Sequence, residues 1–542
     1  MGGKEVLIKA VLQSIPVYAM QCFLLPSSLC RSLEQIMAKF WWSNGSRRGI
    51  HWCTWNRLSQ PKYAGGLGFR NLAQFNVALL AKQCWRLISQ PKCFLAQVLK
   101  ARYYPRSDFM CAELGTRPSY IWRSIGSARG LIVKGYGWRV GSGSLINIWN
   151  EPWLPGPGDG RVRRDSMDIR HTVVYDLIDP GDRVWKHYVV SELFDEEQTS
   201  RICSIPLSKT SCPDEIIWRF DGSGCYTAKS GYRLLMDDQC GNSEGADASL
   251  SRFYIALWRA NVPSKIKITM WKIANGFLPT LDNLYSRRLV VNNLCPFCQV
   301  PGETIAHLLR DCDFANQLVR SLGLPVSSRS VVESWQHWLA SYFVRLSDYN
   351  RRLLMVTYWS IWFSRNKLVH DGIKTSVQDA LSFITAFLRE QDAVGIPTRH
   401  VGHPGPIHWK APPLSVIKFN FDAAFNQQSR LSTSEAIACK QAVQFAKELG
   451  FSNVVIEGDS LTVLKKIISC ALDRSILAPI VFDIKELSLD FHSIIFSFVR
   501  RDANNAAHVL ARECRSIQTP CYWIEEAPVE TTAASEVDRG FL

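Results

Sequence analysis

The chain lacks any uninterrupted apolar run near the roughly eighteen residues that a membrane-spanning helix needs, so no membrane span is expected. It also lacks a secretion signal: Lys4, Glu5 and Lys9 are followed by an apolar stretch broken by Gln13, Pro16 and Gln21. Val6 stands where a myristoylation start needs Ser or Thr. The 17 cysteines are odd in number and show no disulfide spacing, which fits free thiols in a reducing compartment, nuclear or cytoplasmic. Acidic residues are scarce where basic ones gather. Residues 1–139 hold 20 Lys and Arg against 4 Asp and Glu, a net of +16, whereas the remainder holds 43 against 44. The same segment carries Trp41, Trp42, Trp52, Trp55, Tyr63, Trp85, Tyr103, Tyr104, Trp122 and Trp138. Most of these rings are expected to pack in a core. The one-signed basic surface is expected to face nucleic acid, since cations neutralise phosphates and aromatic faces stack on unpaired bases.

With 542 residues, 47% hydrophobic and 20% charged, the chain is globular and too long for one core. One stretch carries clear chemistry. Cys295 and Cys298 are two apart across Pro296-Phe297, His307 follows, and Cys312 closes the set. Thiolates and imidazole are the ligands that suit tetrahedral zinc, and four protein ligands make a closed structural site. A helical segment from Glu303 to Arg310, opening after Gly302, carries His307 and delivers Cys312 just past its end. The alternative is a chance gathering of buried cysteines and a surface histidine.

In chain order, residues 5–40 read as helix with breaks at Pro16 and Pro26, Ser27-Ser28 being a candidate cap. Trp52 to Leu72 is turn-rich; its Gly65-Gly66-Leu67-Gly68 has neither the preceding strand nor the later acid of a dinucleotide loop. Asn76 to Ile88 reads as an amphipathic helix. Tyr136 to Trp153 reads as a short hairpin, and Pro152 to Gly160 as a boundary. Residues 321–395 read as a helical connector studded with Trp335, Trp338, Tyr358, Trp359 and Trp362. Gly395 to Pro413 reads as a linker. Then come a strand Val416–Phe421 ending at Asp422, a helix Ser434–Leu449, a strand Asn453–Ile456 leading to Glu457-Gly458-Asp459-Ser460, and a helix from there. A strand Ser493–Val499 and a last helix Asn504–Arg512 follow, with a frayed acidic tail beyond Pro520.

Several strings resemble plant non-LTR (LINE-type) retrotransposon proteins: Leu7 to Leu12, Ile15-Pro16-Val17-Tyr18, Lys39-Phe40-Trp41-Trp42, Gly65 to Gly68, Asn76 to Gln83 and Trp122-Arg123-Ser124-Ile125. Gly224 to Tyr232, Trp258, Pro263-Ser264-Lys265, Trp271 and the cluster at Cys295 resemble that family's reverse-transcriptase zinc-binding domain. The resemblance implies a multidomain chain: a mainly α basic region (1–155), an irregular connection (156–222), the zinc-binding domain (223–320), a helical connector (321–396), a linker (397–415), an α/β RNase H-like domain (416–518) and an acidic tail (519–542). It also implies a segment following the polymerase palm. The Asp237-Asp238 pair has no polymerase context around it and reads as a solvated helix end, so no polymerisation is expected.

The C-terminal strand–helix order resembles the RNase H-like domain of those proteins, which cuts the RNA strand of RNA–DNA hybrids with two magnesium ions on a carboxylate cluster. Carried over by position, the carboxylates are Asp422, Glu435 and Asp459. Alternatives stay open: Glu435 completes a capping box with Ser432, and Asp459 can be a helix N-cap. Two departures stand out. Twelve residues between Asp422 and Glu435 leave no room for the family's hairpin, so about three strands are expected, the first exposed at an edge. The fourth carboxylate is replaced by His508, a poor magnesium ligand, with Asp502 as a nearby substitute. The two functions carried forward are a nucleic-acid-binding nuclease of RNase H type and a non-catalytic, zinc-dependent nucleic-acid-binding remnant.

Overall fold

The computed structural model describes residues 2–43, 49–163, 170–210, 212–241, 248–325, 334–395, 409–413, 416–423, 431–514 and 527–539. Most of the expected linker and the loop after Ala423 lie outside these residues, as does the side chain of Ser432. The chain divides into two compact units. The first comprises Met1–Cys84, Glu113–Ala128 and Gly231–Arg399; the second comprises Trp85–Ala112, Arg129–Ser230 and His400–Leu542.

The first unit is helical. Pro26 precedes α1 (Ser27–Trp42), and neither Ser27 nor Ser28 caps it: both lie within its first turn. Cys30, Met37, Ala38, Trp41 and Trp42 are its buried residues. Phe69 takes Trp41 edge-on at 5.3 Å and stacks on Trp55 at 5.2 Å. The glycine string 65–68 is a packing turn. Gly65 adopts φ +85°, a Cβ there would stand 2.9 Å from the Tyr254 ring, and its carbonyl accepts the Trp271 indole N–H at 2.8 Å. The unit continues through α2 (Ala248–Arg259), α3 (Ser264–Ala274), α4 (Asp313–Ser321), the helix Trp335–Arg345, α5 (Asp348–Asp371) and the helix Val377–Gly395. Of the ten aromatics singled out in residues 1–139, Trp41, Trp42, Trp55, Trp85, Tyr104 and Trp122 are buried.

In the second unit, Tyr136–Arg139 is a strand (β1), but its partner is not local. It pairs antiparallel with β2 (Glu215–Trp218), with Tyr136 opposite Trp218. The expected hairpin over 136–153 is therefore corrected: alternation marks a strand without naming its partner. Residues 156–222 are not irregular throughout. They contain helices His187–Leu193 and Glu196–Cys203 and share a core with Ile146, Ile148, Trp149 and Trp153.

Among the described residues, the C-terminal domain has three parallel strands in the order β3 (Ile417–Phe421), β4 (Asn453–Gly458), β5 (Ser493–Phe498). As the short Asp422–Glu435 spacing implies, β3 is an edge. Phe421, Val454 and Ile456 pack in one core with Ala436, Cys439 and Val443 of α6 (Leu431–Glu448). Val463, Leu464 and Ile467 of α7 (Leu461–Ile468) join it, as do Ile480, Val481 and Ile484 of α8 (Ala478–Ser488). The sequence reading had no counterpart to α8. The expected last helix is α9 (Asn505–Glu513), but it is not last: Val529–Arg539, read as frayed tail, forms α10. The Asp538 carboxylate accepts the Ala506 N–H at 2.8 Å, and Thr531 donates to Glu513 at 2.9 Å. An acidic composition hid an amphipathic helix, since Thr531, Ala534 and Asp538 are buried.

Candidate metal centres

Cys295 opens a tight turn. The Cys295 N–H donates to the Val300 carbonyl at 2.9 Å, the Gln299 N–H donates back to the Cys295 carbonyl at 2.8 Å, and Gln299 takes φ +59°. The chain then runs into a wide helical turn, His307–Asp311, and Cys312 follows at its end, its N–H on the His307 carbonyl at 2.7 Å. The four donor atoms lie within 4.8 Å of one another. Two contacts show the convergence: Cys298 Sγ to His307 Nε2 at 3.2 Å and Cys295 Sγ to Cys312 Sγ at 3.9 Å. The Cys312 thiol, with backbone N–H groups of the turn, holds Cys295 down to about 4, so one thiolate is favoured before any metal arrives. Three sulfurs and one imidazole nitrogen converge, with Cys295 and Cys312 buried and Cys298 and His307 half-buried, and the set fits zinc.

A second feature anchors this loop and was missed from sequence. Glu303 is fully buried and meets Arg365 of α5 side-on, Nε to Oε1 at 2.8 Å and Nη2 to Oε2 at 2.7 Å. Glu303 also accepts the Leu281 N–H at 2.5 Å. The paired arrangement satisfies both charges, which burial otherwise forbids. In the sequence, Glu303 reads as the start of a helical segment, and nothing there pairs it with Arg365, 62 residues on.

The carboxylate cluster follows from strand register. Phe421 pairs with Gly458 across β3 and β4, so Asp422 and Asp459 emerge side by side past the strand ends. Gly458 is required there, because a Cβ would stand 2.3 Å from the Phe421 ring. Glu435 comes from the first turns of α6. The three carboxylates offer oxygens within 4.8 Å of one another. Burial first, then the neighbouring Asp422 and Asp459, push Glu435 up to about 8, and burial with Asp422 raises Asp459. Glu435 is 6% exposed and its Oε2 has no hydrogen-bond partner. A buried, orphaned carboxylate oxygen among like charges fits a hard divalent cation. Glu435 therefore reaches both aspartates, as the capping alternative does not require.

His508 does not join this set. Its Nδ1 lies 2.6 Å from Asp422 Oδ2. Asp502 is exposed on the short turn Arg501–Ala503 and is not brought into the cluster. Two further residues shape the cluster. Asn504 is buried and ties the start of α9 to β3, donating to the Phe421 carbonyl at 3.0 Å and accepting from Asn420 at 2.9 Å. Arg501 places a guanidinium beside the acids and favours their ionised forms. The Asp237-Asp238 pair is exposed near the end of a helix, Asp237 accepting from Tyr63 at 2.6 Å. Among the described residues, these two clusters are the metal-competent groups.

The Cys/His cluster and the acid-tipped parallel sheet each fall within residues that match a known family. A family described as zinc-binding in reverse transcriptase matches residues 226–318, and a family described as reverse transcriptase-like matches residues 416–514. The chain is 30% identical over 321 residues, 57% of its own length, to the Arabidopsis thaliana protein named "Putative ribonuclease H protein At1g65750". It spans half the length of that relative. It is 46% identical over 143 residues, 26% of its length, to the "Uncharacterized mitochondrial protein AtMg00310" of Arabidopsis thaliana, and covers 93% of it. The chain belongs to the family of plant retrotransposon-derived reverse-transcriptase proteins. No helix among the described residues is long and apolar enough to cross a membrane.

Proposed function

We propose that this is a LINE-type retroelement protein whose C-terminal domain cuts the RNA strand of RNA–DNA hybrids, while the zinc module and basic residues 1–139 hold the nucleic acid. The observation that carries the reading is the converging triad of Asp422, Glu435 and Asp459, with Glu435 buried and one of its oxygens without a hydrogen-bond partner. Magnesium held by these three would supply the Lewis acidity that activates water and stabilises the leaving oxygen. The chain's own part is positional. Gly458 and the β3–β4 register set the two aspartates side by side, and α6 brings Glu435 to them. Arg501 offsets part of the acid charge before metal arrives. Cys295, Cys298, His307 and Cys312 hold zinc as a structural site. Asp237 and Asp238 have no polymerase-type surroundings, so no polymerase step is assigned to these residues. The hybrid substrate implies residence in the nucleus or cytoplasm, which imaging of a tagged chain tests.

The deciding assay is cleavage of a labelled RNA–DNA hybrid with magnesium. Intact chain should cut, and Asp422→Asn and Asp459→Asn should each lower the rate by at least about a hundredfold (roughly 2.7 kcal/mol of barrier). Equal rates for all three would exclude the triad. A second reading, a non-catalytic nucleic-acid-binding remnant, is favoured by the three-stranded sheet and by His508 in place of an acid. Hybrid binding without cleavage, unaltered in Asp422→Asn, selects it.

A further inference from the structure

The first unit carries a second concentration of positive charge, outside residues 1–139. Helix α2 buries Phe253, Tyr254 and Leu257. Its opposite face presents Arg252, Ala256 and Arg259 at helical spacing, and both arginines are exposed. A cleft of about 650 Å³ runs between this face and the start of α5, within the size range of sites that hold ligands. Four of its lining residues are arginines, Arg252, Arg259, Arg351 and Arg352, against a single acid, Asp348. The four differ in what they already hold. Arg351 is fully engaged: Nη1 donates to Asp348 at 2.8 Å, Nε to the Phe343 carbonyl at 3.1 Å and Nη2 to the Val344 carbonyl at 2.7 Å. Arg352 donates to Asp392 at 2.5 Å. These two form a fixed wall whose charge is largely answered. Arg252 and Arg259 have no hydrogen-bond or ion-pair partner among the described residues, so their charge is free for a ligand. Two helical turns separate them, roughly 10 Å along the axis. That spacing suits successive charges on a polymer better than one small anion. Ala256 lies between them and Ala260 follows, so the floor of the cleft stays low. The same unit includes Met1–Cys84 and Glu113–Ala128 of the basic segment, and its charge as a whole favours a polyanion.

We propose that this cleft holds the phosphate backbone of a nucleic acid, with Arg252 and Arg259 as the contacting residues. A guanidinium fork offers two parallel donors to phosphate oxygens, and the small Ala256 and Ala260 leave room for the strand between the forks. The inference rests on the reading that the chain binds nucleic acid, and not on cleavage by the carboxylate triad. Its consequence is a phosphate-contacting surface on the unit that carries the Cys/His cluster, separate from the basic residues 1–139.

The test is binding of a labelled RNA–DNA hybrid by the full chain, followed by fluorescence anisotropy over a salt series. Arg252→Gln combined with Arg259→Gln removes two phosphate contacts. The slope of log affinity against log salt should fall by about 2, and affinity at roughly 0.1 M salt by about tenfold or more. Arg252→Lys combined with Arg259→Lys keeps the charge and should recover most of both. Both positions are exposed, so the thermal unfolding midpoint should stay the same in either pair. Unchanged slope and affinity in the glutamine pair overturn the proposal. Poly-glutamate is the probe for an acidic protein in place of a strand: if the glutamine pair loses poly-glutamate binding and keeps hybrid affinity, the cleft takes an acidic peptide and the proposal falls. Inorganic phosphate is the probe for a small anion: if it displaces the hybrid at millimolar concentration and matched ionic strength, the polymer reading of the cleft falls. If the intact chain binds no hybrid at all, the nucleic-acid reading falls with this one, whereas an intact chain that binds no better than the glutamine pair excludes the cleft alone.

Discussion

Glu303, Arg365 and Asp483 are buried charges whose partners satisfy them. Glu303 and Arg365 satisfy each other side-on at 0% and 3% side-chain exposure. Removing one partner leaves the other charged in a dry site, so Arg365→Ala should destabilise by about 3–5 kcal/mol in denaturant unfolding. A loss under about 1 kcal/mol would mean that water reaches Glu303. Asp483 is a second case. Burial opposes its charge, but Lys440, Ser208 and the Lys209 N–H outweigh it and hold the carboxyl below its ordinary value. Ser208 donates to it at 2.6 Å and Thr210 at 2.8 Å. Since the folded value is depressed, this stability is present above the unfolded pKa of about 3.9 and is lost as pH falls through the folded value. Asp483→Asn should flatten the acid limb of the stability–pH curve below about pH 4. An unchanged limb would remove Asp483 from the acid response. Glu435 contrasts with both: its Oε2 has no hydrogen-bond partner and it converges with Asp422 and Asp459, and the two together make it read as a ligand.

At the scale of elements, β3, α6, β4 and β5 were legible because each combines its own period with a terminal signal. The Asp422–Glu435 spacing alone foretold a short sheet. What failed was information that sequence does not carry locally. The partner of β1 lies at Glu215–Trp218, and helices α8 and α10 earn their place by packing instead of by propensity. The carboxylates could be picked out singly, whereas the His508–Asp422 contact depends on Asn504 pinning α9 to β3 and could not. Gly458 tests the logic of the strand ends. Gly458→Ala would press on the Phe421 ring and should cost about 1–3 kcal/mol. It should also spread Asp422 from Asp459 and weaken divalent-cation affinity, read by calorimetry. Normal affinity in a destabilised variant would show that the glycine serves packing alone.

For the whole molecule, the two metal centres predict separable responses. The zinc-type cluster lies in the first unit and the carboxylate triad in the second. Purified chain should carry one zinc, and Cys295→Ser or His307→Ala should lose it and unfold the region around 258–314, seen as faster amide exchange there. Metal analysis without zinc in intact protein would refute the cluster. The nucleic-acid reading rests on charge. Lys39, Lys82, Lys92, Lys100, Arg106 and Arg117 are all exposed, in a segment carrying 20 basic and 4 acidic residues. The tryptophans of that segment are largely core, so stacking contributes less than composition suggests, and phosphate contact must dominate. Phosphate contact releases counterions, so affinity falls with the logarithm of salt in proportion to the contacts made. If six or more of these cations engage, hybrid affinity should drop by about a thousandfold or more between roughly 50 and 200 mM salt. Charge reversal at Lys92 and Lys100 should lower the slope without altering sequence preference. A flat salt response would mean that the positive segment does not touch the backbone.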